Sequence, residues 1–432
     1  MNRIKHIKVE NLFFILATIF IFSFMFLFPI NRVPDEMNHA RMTWETIHKP
    51  TENSFKWMDE IPSSDKVKPR EYKQLLARKI EMKNEPFKFG ISLKTISFLP
   101  QLIGMTIGSW ISPSVGMIIY MGRIFNALAY ILGLYFLIRY FKYGKTALMF
   151  ISLLPIMVQQ ASSLSYDVMN YLEVMLAFGF ITNIAYSKRF TNRNFVQVIG
   201  LAILLLATKP NNILLLGLIP FVSFEFRGVL KVLNRPFKSL KIIVSRYKFV
   251  FYLLLLITIG FILQFLMRNE GGLVHYIHVL LNTLVNARQN GDLNSILTIG
   301  VFGYLGNFTL QLPLWLIFID IAVLVLIFLA NEKDFFSKDF SIFAAWLFPI
   351  QVLATVTVMY LQWTPIVLGH GASVSVGSQG RYFTPFLILF LPLVANLGNF
   401  EISQNKVLKI STITLLVNFL ISIFLIIPFY WM

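Results

Sequence analysis

The sequence predicts an all-α fold, a polytopic membrane helix bundle of about 11 transmembrane helices. Three observations carry this expectation. Of 432 residues, 56% are hydrophobic and 14% charged, with a mean hydropathy of +0.68. Soluble domains hold about 25% charged and 45–50% apolar residues. The apolar residues come in runs long enough to cross a bilayer, which takes about 20 residues of helix, as at 12–30 and 249–267. Basic residues gather at alternate ends of these runs, as the positive-inside rule requires.

Arg3, Lys5 and Lys8 precede the run 12–30 and put the N-terminus in the cytoplasm. The run is long for a signal peptide and lacks a small-residue cleavage site, so it reads as a retained span. Residues 31–95 form a first extracytoplasmic loop with 13 Lys/Arg and 10 Asp/Glu, the one sizeable hydrophilic stretch. Loops this long normally carry structure of their own. Short helices are expected, with 71–83 the best candidate. Residues 96–111 are apolar but short. Pro100, Gly104, Gly108 and Ser109 interrupt them, which reads as an interfacial or re-entrant segment. The run 116–138 goes inward to Arg139, Lys142 and Lys145, 146–162 returns, and 168–186 goes inward to Lys188, Arg189 and Arg193.

Residues 195–224 are basic at both flanks, so they cross an even number of times. Lys209-Pro210 sits at the middle, and proline breaks the helical ladder. The segment reads as a broken helical hairpin with Lys209 at its outer tip. The run 249–267 goes out. A second extracytoplasmic region covers 268–312, with an amphipathic piece at 273–285. Then 313–330 goes in, 342–361 out, 383–397 in and 410–431 out. No internal repeat is visible, and residues 1–432 read as a single integral membrane domain.

The net charge of +17 comes from 38 basic and 21 acidic residues. In a soluble chain it would suggest nucleic acid. Here the cytoplasmic segments hold 20 Lys/Arg and 6 Asp/Glu. The excess is a topology signal that favours anionic membrane lipids, and no nucleic-acid partner is expected. The absence of cysteine excludes disulfides, thiolate metal sites and cysteine nucleophiles. Beyond the first loop, ten charged residues lie outside the cytoplasm. Arg123, Lys209, Arg268, Arg288 and Arg381 balance Asp167, Glu173, Glu270, Asp292 and Asp320. Charge at membrane depth is costly and faces a cavity or a partner, so several of these should meet.

The sharpest motif is Val33-Pro34-Asp35-Glu36-Met37-Asn38-His39. Asp35 and His39 are spaced i, i+4, so one helix face can present both. A carboxylate at the membrane surface suits general-base work on a hydroxyl. The same residues also read as a generic helix start, with Pro34 at the first position and acids at the positive dipole end. Gln379-Gly380-Arg381-Tyr382-Phe383 offers a guanidinium fork for phosphate, with a glycine that lets a head group approach. Its other reading is an interfacial Arg–Tyr anchor. Ser165-Tyr166-Asp167, with Asn170 a turn on, gives a site acid, a helix-start carboxylate or a salt-bridge partner for Arg123 or Lys209. Lys209 either neutralises a lipid phosphate or snorkels, and Arg123 either forms a structural ion pair or binds substrate. Glu173 and Asp320 lie deeper, protonated or hydrogen-bonded in the bundle. His275 and His278 are a weak metal signal without a third ligand. No glycine-rich nucleotide loop appears.

An acidic motif in a long first outer loop resembles the GT-C superfamily of integral-membrane glycosyltransferases. More closely, Pro34-Asp35-Glu36 with His39, Ser165-Tyr166-Asp167, Lys209-Pro210 and Gln379-Gly380-Arg381-Tyr382-Phe383 resemble the bacterial membrane family catalogued as domain of unknown function 2142. The resemblance covers roughly residues 30–400. It implies an inverting transfer of sugar from a polyprenyl-phosphate donor at the outer face of the bacterial cell membrane. The acceptor would be a cell-envelope glycan, teichoic acid or glycolipid. By position, Asp35 or Glu36, with His39, would be catalytic. Asp167, Asn170, Arg123, Lys209, Gln379, Arg381 and Tyr382 would bind substrate. No large soluble domain follows the last run, which points to a small or lipid-linked acceptor. Some branches use a divalent metal, for which Asp167 is a candidate ligand, and others none, so the metal stays open. The alternative is a transporter or flippase of lipid-linked saccharides.

Overall fold

The computed structural model describes residues 7–51, 54–63, 66–88, 90, 92–286, 299–331, 335–397 and 402–432. Arg3, Lys5, Arg288 and Asp292 lie outside them. The chain is mostly helical. In order it forms α1 (Val9–Leu27), α2 (Glu36–Glu45), α3 (Lys56–Asp59), α4 (Pro69–Ala77), α5 (Leu99–Ile111), α6 (Val115–Tyr140), α7 (Lys145–Ser152), α8 (Pro155–Ala161), α9 (Asp167–Ser187) and α10 (Asn192–Thr208). After a 3-10 helix, Pro210–Phe221, come α11 (Asn234–Arg246), α12 (Lys248–Leu266), α13 (Gly272–Leu284), α14 (Ile299–Phe302), α15 (Leu314–Leu329), α16 (Lys338–Gln362) and α17 (Thr364–Leu368). Two 3-10 stretches, Gly380–Tyr382 and Thr384–Phe390, lead into α18 (Leu391–Ala395) and α19 (Gln404–Trp431).

Among the described residues, six helices are long and apolar enough to cross a membrane by length and composition: α1, α6, α9, α12, α16 and α19. The other runs expected to cross hold shorter helices, and proline explains three of them. Residues 146–162, expected as one run, are α7 and α8, broken at Leu153-Leu154 because Pro155 has no N–H to continue the ladder. Residues 195–224 break at Lys209-Pro210 as anticipated. Residues 383–397 are interrupted at Pro385 and Pro392. Residues 313–330 hold one helix, α15, of 16 residues.

The main core runs along α1, α6, α7, α8, α9 and α19. Phe13, Phe20 and Phe24 of α1 are buried there, and Phe20 stacks on Phe419 at 4.2 Å between ring centres. Trp431 Nε1 donates to the Leu27 carbonyl at 2.7 Å, so α19 ends where α1 ends. α9 is enclosed on nearly all sides, whereas α12 has no buried residue. A helix apolar nearly all round, packed on protein chiefly toward its C-terminal end where Leu263 meets the cluster of Tyr276 and Tyr360, suits lipid on most of its surface.

The first loop has a core of its own. Trp44, Trp57, Met58, Ile61 and Ile80 pack with Ile118 and Ile119 of α6 and with Leu164. Glu85 ties the loop together, accepting from Trp44 Nε1 at 3.1 Å and from the Phe55 amide at 2.9 Å. The helix expected at 71–83 is α4, which ends at Ala77. Beyond it the chain turns to pair with the α5–α6 turn, where the Ile80 amide donates to Pro113 O at 2.7 Å.

Residues 96–111 differ from expectation in one respect. Gly104 and Gly108 do not interrupt the helix. They form the face by which α5 lies antiparallel against α6. A Cβ on Gly104 would stand 2.3 Å from Met121 O, and one on Gly108 would stand 2.8 Å from Met117 O. Small residues four apart let two backbones approach this closely. Gly104→Val should therefore cost about 1–3 kcal/mol through overpacking. Gly200→Ala, with nothing within 4 Å, should be near neutral. Thermal unfolding in detergent compares the two.

Candidate functional site

α2 begins at Glu36, not at Pro34. Asp35 is its N-cap, with left-handed backbone angles φ 63° and ψ 9°. Few residues other than glycine adopt that conformation, and Asp and Asn tolerate it best. Its side chain makes no capping bond to the helix amides, so the generic helix-start reading does not describe it. The carboxylate turns instead toward the chain near residue 380. Asp35 Oδ2 accepts from Arg381 Nη2 at 2.6 Å and from Gln379 Nε2 at 3.2 Å.

Arg381 is held from behind. Its Nε donates to Asp167 Oδ2 at 3.1 Å, and its carbonyl accepts from Tyr171 Oη at 3.3 Å. Asp167 starts α9 and shares its second oxygen with Lys209, whose Nζ lies 2.7 Å from Oδ1. Lys209 is placed there because Pro210 ends α10 at that residue. Its ammonium sits 3.9 Å from the ring centre of Tyr382 and 5.4 Å from that of Tyr166, within cation–π range of both. The result is an alternating chain, Lys209–Asp167–Arg381–Asp35, edged by Gln379. Accessibility separates its members: the side chains of Asp167 and Arg381 are 0% and 2% exposed, that of Lys209 17% and that of Asp35 33%.

Gly380 has a different role from the one the sequence suggests. A Cβ there would lie 2.2 Å from the Gly300 carbonyl carbon. The space beside it is filled by the backbone of α14, not left for a head group. His39, one turn after Asp35, is buried with its ring centre 4.3 Å from that of Tyr166. Burial pushes its pKa down to about 4, against the opposing pull of Asp167 and Asp35, so it is neutral at pH 7. Burial is the largest single influence on the Asp35 carboxyl and would raise it, but the opposing attractions, that of Arg381 first among them, together hold it below the usual carboxylate range.

Glu36 and Arg123 stand apart from this chain. Both side chains are 0% exposed. Arg123 Nε and Nη2 each donate to Glu36 at 2.7 Å. Its remaining N–H groups go to the carbonyls of Met25 and Phe28 at 2.9 Å and Pro29 at 3.3 Å, closing the C-terminal end of α1. Glu36 also accepts from the amides of Asn31 and Leu164. With all its donors engaged, the guanidinium has nothing to offer a substrate. Glu36 has no free approach for a hydroxyl.

Asn170 lies a turn below Asp167 and accepts from Asn212 Nδ2 at 2.6 Å. Asn212 escaped the sequence reading, although it follows Lys209-Pro210 by two residues. Tyr166, the middle of a motif noted for its aspartate, escaped it as well. Glu173 is bonded by the Thr208 hydroxyl, and Asp320 accepts from Asn418 Nδ2 at 2.6 Å. His275 contacts the Ala372 carbonyl at 3.2 Å. Among the described residues no three His, Asp or Glu side chains are grouped so as to hold a metal ion.

A cavity of about 740 Å³ lies along α16 and α18, lined by Leu284, Trp346, Phe348, Val352, Phe390 and Leu393 among others. Phe348 bridges it to the site, packing on Phe390 at 5.1 Å and on Phe383, two residues after Arg381, at 6.4 Å.

A family model described as "Predicted membrane protein (DUF2142)" matches residues 16–390. No curated protein and no solved structure matches the chain.

Proposed function

The chain belongs to the DUF2142 family of predicted membrane proteins, and we propose that it is an inverting glycosyltransferase of GT-C type that uses a polyprenyl-phosphate sugar. In this reading it crosses a bacterial cell membrane eleven times with its N-terminus in the cytoplasm, and the Asp35–Arg381 site faces outward. One observation carries the reading: the most accessible acid of the charged chain, Asp35, lies beside the buried Arg381, with Lys209 a second cation on the far side of Asp167. Sugar transfer from a lipid phosphate needs that juxtaposition. Asp35 takes the proton of the acceptor hydroxyl as its oxygen bonds to the anomeric carbon. The bond from that carbon to the phosphate oxygen breaks, and its electron pair leaves with the polyprenyl phosphate. Arg381 and Lys209 meet the growing negative charge, where fixed positive groups have their largest effect. The apolar cavity beyond Phe348 suits an isoprenoid chain.

The acceptor in this reading is a cell-envelope glycan, teichoic acid or glycolipid. The experiment is transfer in lipid nanodiscs from a panel of polyprenyl-phosphate sugars to envelope extracts. Acceptor-dependent consumption of one donor is expected, and consumption of none overturns the reading. Arg381→Gln should lower that transfer by about 10²–10³-fold. A transporter of lipid-linked saccharides would depend instead on the deep Glu173 and Asp320. Glu173→Gln and Asp320→Asn are expected to retain transfer.

A further inference from the structure

The two groups that the proposed reaction needs separately are bonded to each other. Asp35 is to take a proton and Arg381 to hold a phosphate, yet Arg381 Nη2 donates to Asp35 Oδ2 at 2.6 Å. We propose that the phosphate of the lipid donor displaces Asp35 from Arg381, so that the base is released only after the donor binds and the acceptor reacts second. This rests on the glycosyltransferase reading and concerns the order of events at the same site.

Charge balance supplies the first reason. Asp35 and Asp167 already match Arg381 and Lys209, and the neighbouring His39 is neutral at pH 7. An entering phosphate finds no unpaired cation among these groups unless a carboxylate gives way.

Asp35 is the one that can give way. Asp167 is fully buried and bridges both cations, whereas Asp35 is a third exposed and meets one cation and the Gln379 amide. Its carboxylate makes no capping bond to α2, so a side-chain rotation frees it while the backbone stays. Arg381 does not follow, because Nε remains on Asp167 and the carbonyl remains on Tyr171.

What departure uncovers suits a phosphate. Arg381 Nη1 is buried and has no hydrogen-bond partner among the described residues. Once Asp35 leaves Nη2, the two terminal nitrogens of the guanidinium present one edge, and phosphate accepts from such an edge with two oxygens. The exchange moves no proton. One ion pair breaks and another forms. Released from Arg381, the carboxylate loses the strongest of the attractions that hold its proton affinity down, so that affinity rises. It becomes a stronger base at the moment the donor is in place.

The test is equilibrium binding of farnesyl phosphate to the full chain in phosphatidylcholine nanodiscs. Asp35→Asn should bind about tenfold or more tightly than wild type, because the internal competitor is gone. Asp167→Asn should bind more weakly, because Arg381 and Lys209 lose the group that orients them. Equal affinity in wild type and Asp35→Asn overturns the displacement. So does equal tightening in both variants, which would signal general repulsion. Should Asp167→Asn fail to fold, repetition at about 1 M salt replaces it, since salt screens long-range repulsion. The gain must persist there, and its loss overturns the proposal. No binding by any form removes the lipid-phosphate reading itself, whereas binding indifferent to Asp35 removes the displacement alone.

Discussion

Asp35→Asn is expected to reduce sugar transfer by about 10²–10⁴-fold, the range a positioned general base contributes, while the protein stays folded. Three features make this substitution clean. Asparagine tolerates the left-handed backbone that residue 35 adopts at φ 63°. It keeps the side-chain volume, and its oxygen can still face Arg381 Nη2. It loses the ability to accept a proton and the negative charge that pairs with Arg381. Transfer measured with the donor found by the panel, beside thermal unfolding of the same preparation, reads the two effects separately. Wild-type transfer in Asp35→Asn would exclude this residue as the base.

The neighbouring acid should behave in the opposite way. Glu36→Gln leaves Arg123 buried without its counter-charge, and Arg123→Met does the same to Glu36. Breaking one partner of such a pair costs about 3–5 kcal/mol. Each variant is expected to express poorly and unfold at markedly lower temperature. The double variant Glu36→Gln with Arg123→Met should recover part of the loss, since neither charge is then stranded. Additive losses would mean that the pair is not the unit that holds α2 to α1 and α6. Any loss of transfer in Glu36→Gln should track the loss of folded protein, whereas in Asp35→Asn it should not. The pair of experiments therefore separates two adjacent carboxylates that look alike in sequence.

That likeness marks where sequence reading reaches its limit. Asp35, Lys209 and Arg381 could be singled out because each is an ionisable residue beside a proline or glycine, and Asp167 because it is an acid at the start of an apolar run. The structure then brings them into one chain of contacts. Which of two consecutive acids faces the site depends on the left-handed turn at residue 35, and no local pattern dictates that turn. Arg123 pairs with Glu36 across 87 positions, a distance over which periodicity carries no information. Pro155 was visible, but a single proline in an apolar run can either kink a helix or end it, and here it divides α7 from α8. Gly104 and Gly108 have low helix propensity, which predicts interruptions, whereas packing against α6 overrides propensity. The glycine before Arg381 was read for what it admits from outside, and its space is taken by the backbone of Gly300.

α12 has one more consequence. Because none of its residues is fully buried among the described residues, and only its C-terminal end packs on α13, its free energy is set mainly by the bilayer. Its sequence is then free to drift among apolar residues, but its length is not. At 1.5 Å per residue its 19 residues reach about 28 Å. In a membrane much thicker or thinner, this helix can only tilt or deform the lipid around it. It is the ruler of the molecule: reconstitution in lipids of graded chain length should find an optimum near that span.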